Sequence, residues 1–366
     1  MKLHLVLLLL GVANAQLHFA FYQNKLYYNI ETSFAQRAIQ TLMGLVNLKS
    51  HQIIPDASGT IFGSIVGDGD GPVGTISGFR APGDTHTLLW PDGDYFSWAA
   101  INIPPLPTVM AHFEKEMPVW EDRGTTIFWT GAFSGGRGVR ESYAACAKAH
   151  SHAMHFDQVD WSQMKHGPNH MKSMAMDFRH LLQHRFNAYI WGNSWSSSMK
   201  RILISGGVVL MPNPNLHETM ETMMLKECEN CVLYYDSRPD KLCESMLNEV
   251  AQISDRRAST MAARLQNFSF TKFRLESVHE FMMDVLRQKN PTGNDPWTVV
   301  SQAPDKIVVN RRWNGGPLAD KELIHVDCMG AKQLYGNSLL DARLVDAWFD
   351  NECKINYDDD LDFEAI

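Results

Sequence analysis

Residues 188–214, AYIWGNSWSSSMKRILISGGVVLMPNP, place a serine-rich segment between two short apolar runs. The first run covers residues 186–191 and ends at Gly192, and the second run begins at Val208. A short apolar run that stops at a turn residue is typical of a strand buried on both faces. The stretch therefore predicts a strand, a loop, a short helix and a second strand, which is the repeating unit of an α/β fold with a parallel sheet.

The rest of the chain alternates between strand and helix patterns, which extends the α/β prediction to most of its 366 residues. Helices are predicted over residues 34–48, 108–116, 240–253, 256–265 and 275–288, and a mainly helical region over residues 139–182. Further strands are predicted over residues 60–66, 73–79, 125–129 and 231–235. Beyond residue 290 the composition changes and ends in an acidic run at residues 358–362, which predicts a mostly solvated extension.

Residues 1–15, MKLHLVLLLLGVANA, have the pattern of a secretory signal peptide. Lys2 precedes an apolar run that is too short to span a bilayer, and the segment ends in the small residues Ala13 and Ala15 of a cleavage site. No later segment is long and apolar enough to cross a membrane. We therefore expect a protein without a membrane span that is secreted or lies in the lumen of the endoplasmic reticulum or Golgi.

The cysteines, one sequon and the net charge narrow the class of protein further. Six cysteines fit an oxidising compartment, and the sequence alone does not fix their pairing. Cys228 and Cys231 are interpreted as a structural disulfide rather than a redox pair. Asn267-Phe-Ser269 is an N-glycosylation sequon, as expected of a glycoprotein. The net charge of -8 argues against a general nucleic-acid binder, because no basic stripe is available to contact phosphates.

The serine-rich segment has the features of an anion-binding loop. Backbone N–H groups at the start of a helix have no partner within the helix, and the helix dipole favours negative charge there. The serine hydroxyls and the ammonium group of Lys200 supply further donors. The spacing matches neither a P-loop nor a Gly-x-Gly-x-x-Gly loop. The segment predicts a phosphate-bearing ligand, and the alternative is that the serines only cap the helix.

Gly192, Trp195, Ser196, Ser198 and Lys200 form the pattern Gly-x-x-Trp-Ser-x-Ser-x-Lys between the two apolar runs. This segment resembles the donor site of the protein O-glucosyltransferase-like, capsule-associated family of glycosyltransferases. Three more segments are similar to that family and occur in its order: WPDGDYFSWAAINIPP at residues 90–105, TIFWTGAFSGGRGVRESYAAC at 126–146 and CVLYYDSRPDKLCESMLNEV at 231–250. The resemblance covers roughly residues 50–288.

The resemblance implies both a fold and a reaction. The implied fold is α/β and GT-B-like, with two Rossmann-like domains facing a cleft: an acceptor-side domain at residues 16–140 and a nucleotide-sugar domain at residues 141–290, followed by the extension at 291–366. The implied reaction is an inverting transfer of a sugar, glucose or xylose, from a UDP-sugar donor to a hydroxyl of a protein or glycan acceptor. No metal or other cofactor is expected, because an arginine and a helix start would stabilise the leaving diphosphate.

The resemblance also assigns roles to individual residues. Asp70, two residues before Pro72, is the expected general base, and Asp68 is the alternative. Arg140 is the expected clamp on the diphosphate, and Arg137 is the alternative because one extra residue precedes Arg140. The ribose hydroxyls are expected to contact Glu218. The remaining donor-binding residues form one segment: Gly192, Asn193, Ser194, Trp195, Ser196, Ser197, Ser198 and Lys200.

Two departures from the family pattern and three alternatives accompany this prediction. Thr87 stands where many relatives carry an aspartate, and residues 135–138 are rich in glycine, so an atypical acceptor is expected. The Asp-x-Asp spacing at residues 68–70 is also that of a metal-binding motif. His180 and His184 have a helical spacing that suits a metal, but no third ligand is evident, and ordinary surface or core histidines are favoured. The alternative function is a catalytically inactive protein that binds a glycan or nucleotide.

Overall fold

The structure is a computed structural model of the chain, and the residues that it describes are 16–23, 25–31, 35–51, 61–66, 76–85, 87–97, 103–133, 139–158, 179–192, 196–289, 297–313, 316–317, 321–336 and 343–355. Several sequence predictions fall outside these ranges and are named here: the signal peptide, Asp68, Asp70, Arg137, residues 193–195 and the acidic run at 358–362.

Strands and helices alternate through the middle of the chain and confirm the α/β class. The strands are β1 (Gln16–Tyr22), β2 (Lys25–Glu31), β3 (Ile61–Val66), β4 (Ile76–Ser77), β5 (Phe79–Arg80), β6 (Leu88–Leu89), β7 (Gly124–Gly131), β8 (Met154–Gln158), β9 (His184–Ala188), β10 (Val208–Asn213), β11 (Glu218–Thr219), β12 (Val232–Asp236), β13 (Trp297–Ala303), β14 (Lys306–Trp313), β15 (Gly316–Pro317) and β16 (Lys321–Val326). The helices are α1 (Ala35–Ser50), α2 (Leu106–Glu116), α3 (Val139–Ala149), α4 (Met199–Ile204), α5 (Met220–Leu225), α6 (Leu242–Gln252), α7 (Asp255–Lys272), α8 (Leu275–Lys289), α9 (Cys328–Gly336) and α10 (Arg343–Trp348).

The second sheet carries the parallel architecture that the serine-rich stretch predicts. Its five strands have the order β12-β10-β9-β7-β8, and every pair is parallel. This is the doubly wound order in which the direction of winding reverses between the first and third strands, here β7 and β9. Ligands of such sheets bind beyond the carboxyl ends of the strands at that reversal. Because β7 already belongs to this sheet, the sheet begins before the predicted domain boundary at residue 140.

The first sheet differs from a Rossmann-like sheet. Its strands follow the order β13-β14-β16-β2-β1-β3-β4-β6, with β15 paired to β14. Only the β3-β4 and β4-β6 pairs are parallel, and the other pairs are antiparallel. The predicted GT-B-like arrangement of two α/β units therefore holds in a modified form, with a mixed first sheet and a parallel second sheet.

The two sheets are joined by elements that lie between them. The short strands β5 and β11 pair with each other, so that Arg80 lies opposite Glu218. Helix α8 packs against β3 and β6 of the first sheet although it follows the second sheet in the chain. One apolar cluster includes Phe19 of β1, Ile202 of α4 and Val209 of β10. The two units thus share a buried core.

Residues 139–182 contain a strand that the sequence did not predict. The helical prediction is correct for α3 but wrong for residues 154–158, which form β8 at the edge of the second sheet. An edge strand needs little apolar surface, and in β8 only Met154 is buried. The alternation of Met154, His155, Phe156 and Asp157 covers only four residues, so it is a weak strand signal within a region whose overall pattern is helical.

The prediction of a mostly solvated extension beyond residue 290 is wrong for the part that the structure describes. Strand β16 pairs with β2, and β14 and β13 continue the first sheet outward from it. Leu323, Val326, Trp348 and Phe349 are buried. This segment completes the first sheet, and its pairing partner β2 is so distant in sequence that a local pattern does not reveal it.

All six cysteines form disulfides. Cys146–Cys243 joins α3 to α6, and Cys328–Cys353 joins the start of α9 to the segment after α10. Cys228 and Cys231 bond to each other, so the disulfide predicted for this pair is present. Crosslinks of this kind are typical of proteins that fold in oxidising compartments.

A buried polar contact connects α1, α8 and the end of the chain. Asn47 is fully buried, and its Nδ2 group donates to the carbonyl oxygen of Cys353 at 2.7 Å. Its Oδ1 atom lies 2.8 Å from Nε2 of His279 and accepts its proton. Burial, together with the neighbouring His51, lowers the pKa of His279 to about 3.

We expect His279 to make the protein less stable in mild acid. The folded chain keeps this imidazole neutral down to about pH 3, whereas the unfolded chain protonates it below an ordinary pKa of 6.5. Unfolding therefore takes up a proton in this window, and the free energy of unfolding falls by about 2 kcal/mol between pH 7 and pH 5. Urea unfolding at both pH values measures this difference. In His279→Gln the difference between pH 7 and pH 5 should be smaller by about the same 2 kcal/mol. An equal pH dependence in both proteins would contradict the assignment.

Candidate active site

The reversal point of the second sheet is occupied by Arg140. This residue stands in the first turn of α3, and its guanidinium group lies between the carboxyl ends of β7 and β9. Its Nε group donates to the carbonyl oxygen of Trp191 at 3.0 Å, and Nη1 donates to that of Ala132 at 2.8 Å. The guanidinium carbon also lies 5.4 Å from the ring centre of Trp129. Arg140 therefore spans the crevice in which ligands of parallel sheets bind.

The chemistry of this arginine suits an anion. Arg140 is 9% exposed, and burial lowers the pKa of its guanidinium group, although an arginine remains protonated at neutral pH. The two carbonyl contacts use two of its five N–H groups. The position predicted from the family pattern is thus a buried cation at the carboxyl edge of the sheet.

Two hydrogen bonds hold the end of the serine loop, which we define as residues 192–198, next to α4. The backbone N–H group of Ser196 donates to Oη of Tyr189 at 3.0 Å, and the hydroxyl groups of Ser196 and Ser198 are 2.9 Å apart. Ser198 occupies the position before α4, but its side chain makes no capping hydrogen bond. The alternative prediction, that the serines only cap the helix, therefore does not hold for the side chain of Ser198.

Helix α4 is shorter than an anion site built on a helix dipole requires. It has six residues, so few peptide dipoles are aligned along its axis. Ser197 is buried beside its start, and Gly192 is half-buried at the beginning of the loop. The donors near this edge are therefore the loop groups and Arg140 rather than a strong helix dipole. Asn193, Ser194 and Trp195, which were also predicted here, lie outside the described residues.

Lys200 lies in a buried ion cluster, which we define as Asp92, Asp94, Lys200, Arg201 and Glu221. The ammonium group of Lys200 contacts Asp94, lies 3.4 Å from Asp92 and lies 4.0 Å from Glu221. Arg201 donates to Asp94 at 3.1 Å. Burial by itself lowers the pKa of Lys200, but the three carboxylates outweigh it and raise the pKa. Lys200, which the sequence predicts to bind phosphate, is paired with carboxylates in this structure.

The ion cluster joins the two units next to the serine loop. Asp92 and Asp94 come from the segment after β6, where residues Gly93–Phe96 form a single 3-10 turn. Lys200 and Arg201 come from α4, and Glu221 from the first turn of α5. The sequence resemblance included these aspartates in the WPDGDYFSW segment but gave them no role. The only local sign that Asp92 and Asp94 are buried and paired was that they lie in a stretch rich in aromatic and apolar residues.

Glu218 forms ion pairs between β11 and its neighbours. Its Oε2 atom lies 2.6 Å from Nη2 of Arg80, and Oε1 contacts the ammonium group of Lys226. Burial alone would raise the pKa of Glu218, but the hydrogen bonds from Lys226 and Arg80 outweigh it and lower the pKa. Glu218, which the sequence predicts to contact the ribose hydroxyls, thus holds β5 against β11. Thr87, the departure noted in the sequence, is buried and accepts a hydrogen bond from Arg80 through its carbonyl oxygen.

The histidines considered as metal ligands do not share a helix. His184 begins β9, and His180 lies in the short helical segment at residues 179–182 before it. His155 and His180 both contact Asp157 of β8. Among the residues that the structure describes, no group of three or more histidine, cysteine, aspartate or glutamate side chains is arranged to hold a metal ion.

No helix in the described ranges has both the length and the apolar character needed to span a membrane.

Residues 75–290 match the profile described as Glycosyl transferase family 90. The chain belongs to this family. The match confirms the resemblance seen in the sequence and contains Arg140, the serine loop and the buried ion cluster. By its description, the family is one of glycosyltransferases.

Two solved structures are similar to part of this family 90 member. A trehalose-6-phosphate synthase, OtsA, aligns with a TM-score of 0.32 and 11% identity, over 51% of this chain and 50% of that chain. An OtsA apo structure aligns with a TM-score of 0.32 and 8% identity, over the same shares. The chain thus spans about half the length of these structures. No curated protein matches the sequence.

Proposed function

We propose that this glycosyltransferase moves a sugar, glucose or xylose, from a UDP-sugar to a hydroxyl group of a protein or glycan, with inversion at the anomeric carbon. The observation that carries the proposal is the position of Arg140. Its guanidinium group lies at the reversal point of a purely parallel sheet and binds the strand ends on both sides of the crevice. A diphosphate that enters this crevice meets a buried cation and the serine loop together.

The leaving group explains why these groups suit the reaction. Breaking the bond to the sugar leaves negative charge on the diphosphate, and preorganised donors aimed at that charge lower the barrier. A guanidinium group can hold two phosphate oxygens at once. The hydroxyls of Ser197 and Ser198 and the backbone of Gly192 would supply further donors from the loop. In this proposal Arg140 neutralises the diphosphate, and no metal is required.

Asp70 is the proposed general base. It stands in the sequence between β3 and β4, which are parallel neighbours in the first sheet. An inverting transfer needs a base on the face of the sugar opposite the diphosphate, where the acceptor hydroxyl loses its proton as it attacks. Asp68 is the alternative in the same segment.

The proposed site of action is the lumen of the secretory pathway or the space outside the cell. The three disulfides of the described residues fit an oxidising compartment. Asn267 of the sequon is exposed on α7, as a glycan carrier must be. Residues 1–15 would direct the chain there as a signal peptide.

The test is UDP release from a panel of UDP-sugars, with acceptor peptides and glycans, in the presence and absence of EDTA. We expect release from one sugar, unchanged by EDTA and lowered about a hundredfold in Asp70→Asn, because the acceptor loses its base. Asp122→Asn, a change at an exposed aspartate beside the amino end of β7, is the matched control and should keep wild-type activity.

Other outcomes of the panel would redirect the proposal. Activity that survives in Asp70→Asn would move the base, with Asp68 next. Loss of release with EDTA would contradict the metal-independent mechanism. UDP binding without turnover of any sugar would favour the inactive binding protein, and the absence of UDP binding would overturn the donor assignment.

A further inference from the structure

Tyr189 ties the end of the serine loop back to the strand from which the loop departs. It is the first residue after β9 and is 1% exposed. Its Oη atom accepts the backbone N–H group of Ser196 at 3.0 Å. The backbone of Ser196, seven positions after Tyr189 in the sequence, is thus bonded to the side chain of Tyr189.

The beginning of the same loop is fixed separately. The carbonyl oxygen of Trp191 accepts a hydrogen bond from Arg140 at 3.0 Å. At the far end, the hydroxyl groups of Ser196 and Ser198 lie 2.9 Å apart, which extends the restraint to the first residue before α4. The two described ends of the loop therefore have different anchors, and Tyr189 is the anchor of the end nearest to α4.

Tyr189 is itself held too firmly to follow the loop. Its backbone N–H group donates to the carbonyl oxygen of Leu210 at 2.9 Å. Its carbonyl oxygen accepts from Oη of Tyr235 at 3.1 Å, and Tyr235 lies 2.7 Å from the hydroxyl group of Tyr143. Burial raises the pKa of Tyr189, so its hydroxyl is protonated at neutral pH.

We infer that Tyr189 is a positioning residue for the nucleotide-sugar donor, which it serves by holding Ser196, and through it Ser198, in the conformation that receives the diphosphate. It acts through the loop and not by contact with the donor. This inference rests on the proposed function, because it takes the serine loop as the place where the diphosphate binds.

The change Tyr189→Phe removes the hydroxyl group and keeps the buried ring. Without its anchor, the end of the loop must be ordered by the ligand, and fixing even one or two residues weakens binding measurably. We expect the Kd for UDP, measured by calorimetry, to rise about tenfold. The KM for the active UDP-sugar should rise in parallel while kcat stays within about twofold, because the ordering cost is the same for bound donor and transition state.

Tyr95→Phe is the matched control. Tyr95 is also fully buried, and its hydroxyl donates to a backbone carbonyl, that of Phe273, at 2.5 Å. This control loses one buried hydrogen bond between a tyrosine hydroxyl and the backbone, at Phe273 rather than in the serine loop; the hydroxyl of Tyr95 donates, whereas that of Tyr189 accepts. We expect a similar drop in melting temperature in both variants and an unchanged Kd for UDP in Tyr95→Phe.

The outcomes separate this inference from the function on which it rests. Equal Kd values in wild type and Tyr189→Phe, with UDP bound by both, would overturn the positioning role and leave the proposed function standing. A fall in kcat with constant KM would also overturn it, because the hydroxyl would then act in the transition state. Failure of the wild-type protein to bind UDP would overturn the proposed function, and this inference with it.

Discussion

Replacing Lys200 with methionine is expected to lower the free energy of unfolding by about 3 to 5 kcal/mol, which is the usual cost of removing one partner from a buried ion pair. Methionine fills a similar volume, so the effect comes from charge. Of the buried ion cluster, only Arg201 would remain as a cation against the carboxylates of Asp92, Asp94 and Glu221. Buried carboxylates that lose their counterion are strongly destabilising because water does not solvate them.

Urea unfolding of wild type and Lys200→Met measures this loss, and Lys226→Met is the control. The side chain of Lys226 is 69% exposed and also pairs with a glutamate, Glu218. An exposed pair contributes less than about 1 kcal/mol, so the control should be nearly as stable as wild type. If the two variants lost the same stability, the cluster would not depend on Lys200 as its counterion.

Replacing Arg140 with methionine is expected to lower kcat/KM about a thousandfold, at the upper end of what one preorganised donor to a developing charge supplies. Under the proposed function, the loss has two sources. The guanidinium group would no longer face the diphosphate, and the carbonyl oxygens of Trp191 and Ala132 would lose the donor that bridges the strand ends. Arg140→Lys should restore little, because an ammonium group cannot bridge both carbonyls and grip phosphate in a planar fork.

Arg185→Met is the control for Arg140→Met, because Arg185 makes similar carbonyl and aromatic contacts at a different place, together with an ion pair to Asp255. Its guanidinium carbon lies 5.3 Å from the ring centre of Trp120, and it donates to the carbonyl oxygens of Trp120 and Glu121. It belongs to the amino-terminal half of β9, away from the reversal point. Steady-state kinetics should show activity within about threefold of wild type. Comparable losses in both variants would indicate that Arg140 is structural only.

The central part of the second sheet could be predicted from the sequence because its signals are local. The apolar run before Gly192, the break at the loop and the second run at Val208 each follow from residues within a few positions of one another. The structure places β9, α4 and β10 on these segments. Arg140 was predicted from the family resemblance, and the structure shows its position after β7 at the carboxyl edge of the sheet.

The parts that could not be predicted depend on contacts between distant segments. The pairing of β16 with β2 has no local signature, so the last strands were interpreted as a solvated extension. Lys200 was predicted as a phosphate ligand from its place after the serines, but its partner Asp94 lies about a hundred residues earlier in the chain. A sequence pattern shows that a charged residue is present, and only the fold shows which charge it meets.

The place of β16 in the first sheet has a consequence for how the protein is made. Strands β1 and β2 precede the second sheet in the chain and leave the ribosome before it, yet β16, the outer neighbour of β2, follows that sheet in the chain. The second sheet and its helices come from one continuous middle portion of the chain and can assemble as soon as that portion emerges. The second sheet can therefore fold before the first sheet is complete. During that interval the outer edge of β2 is unpaired and can form hydrogen bonds with strands of other chains.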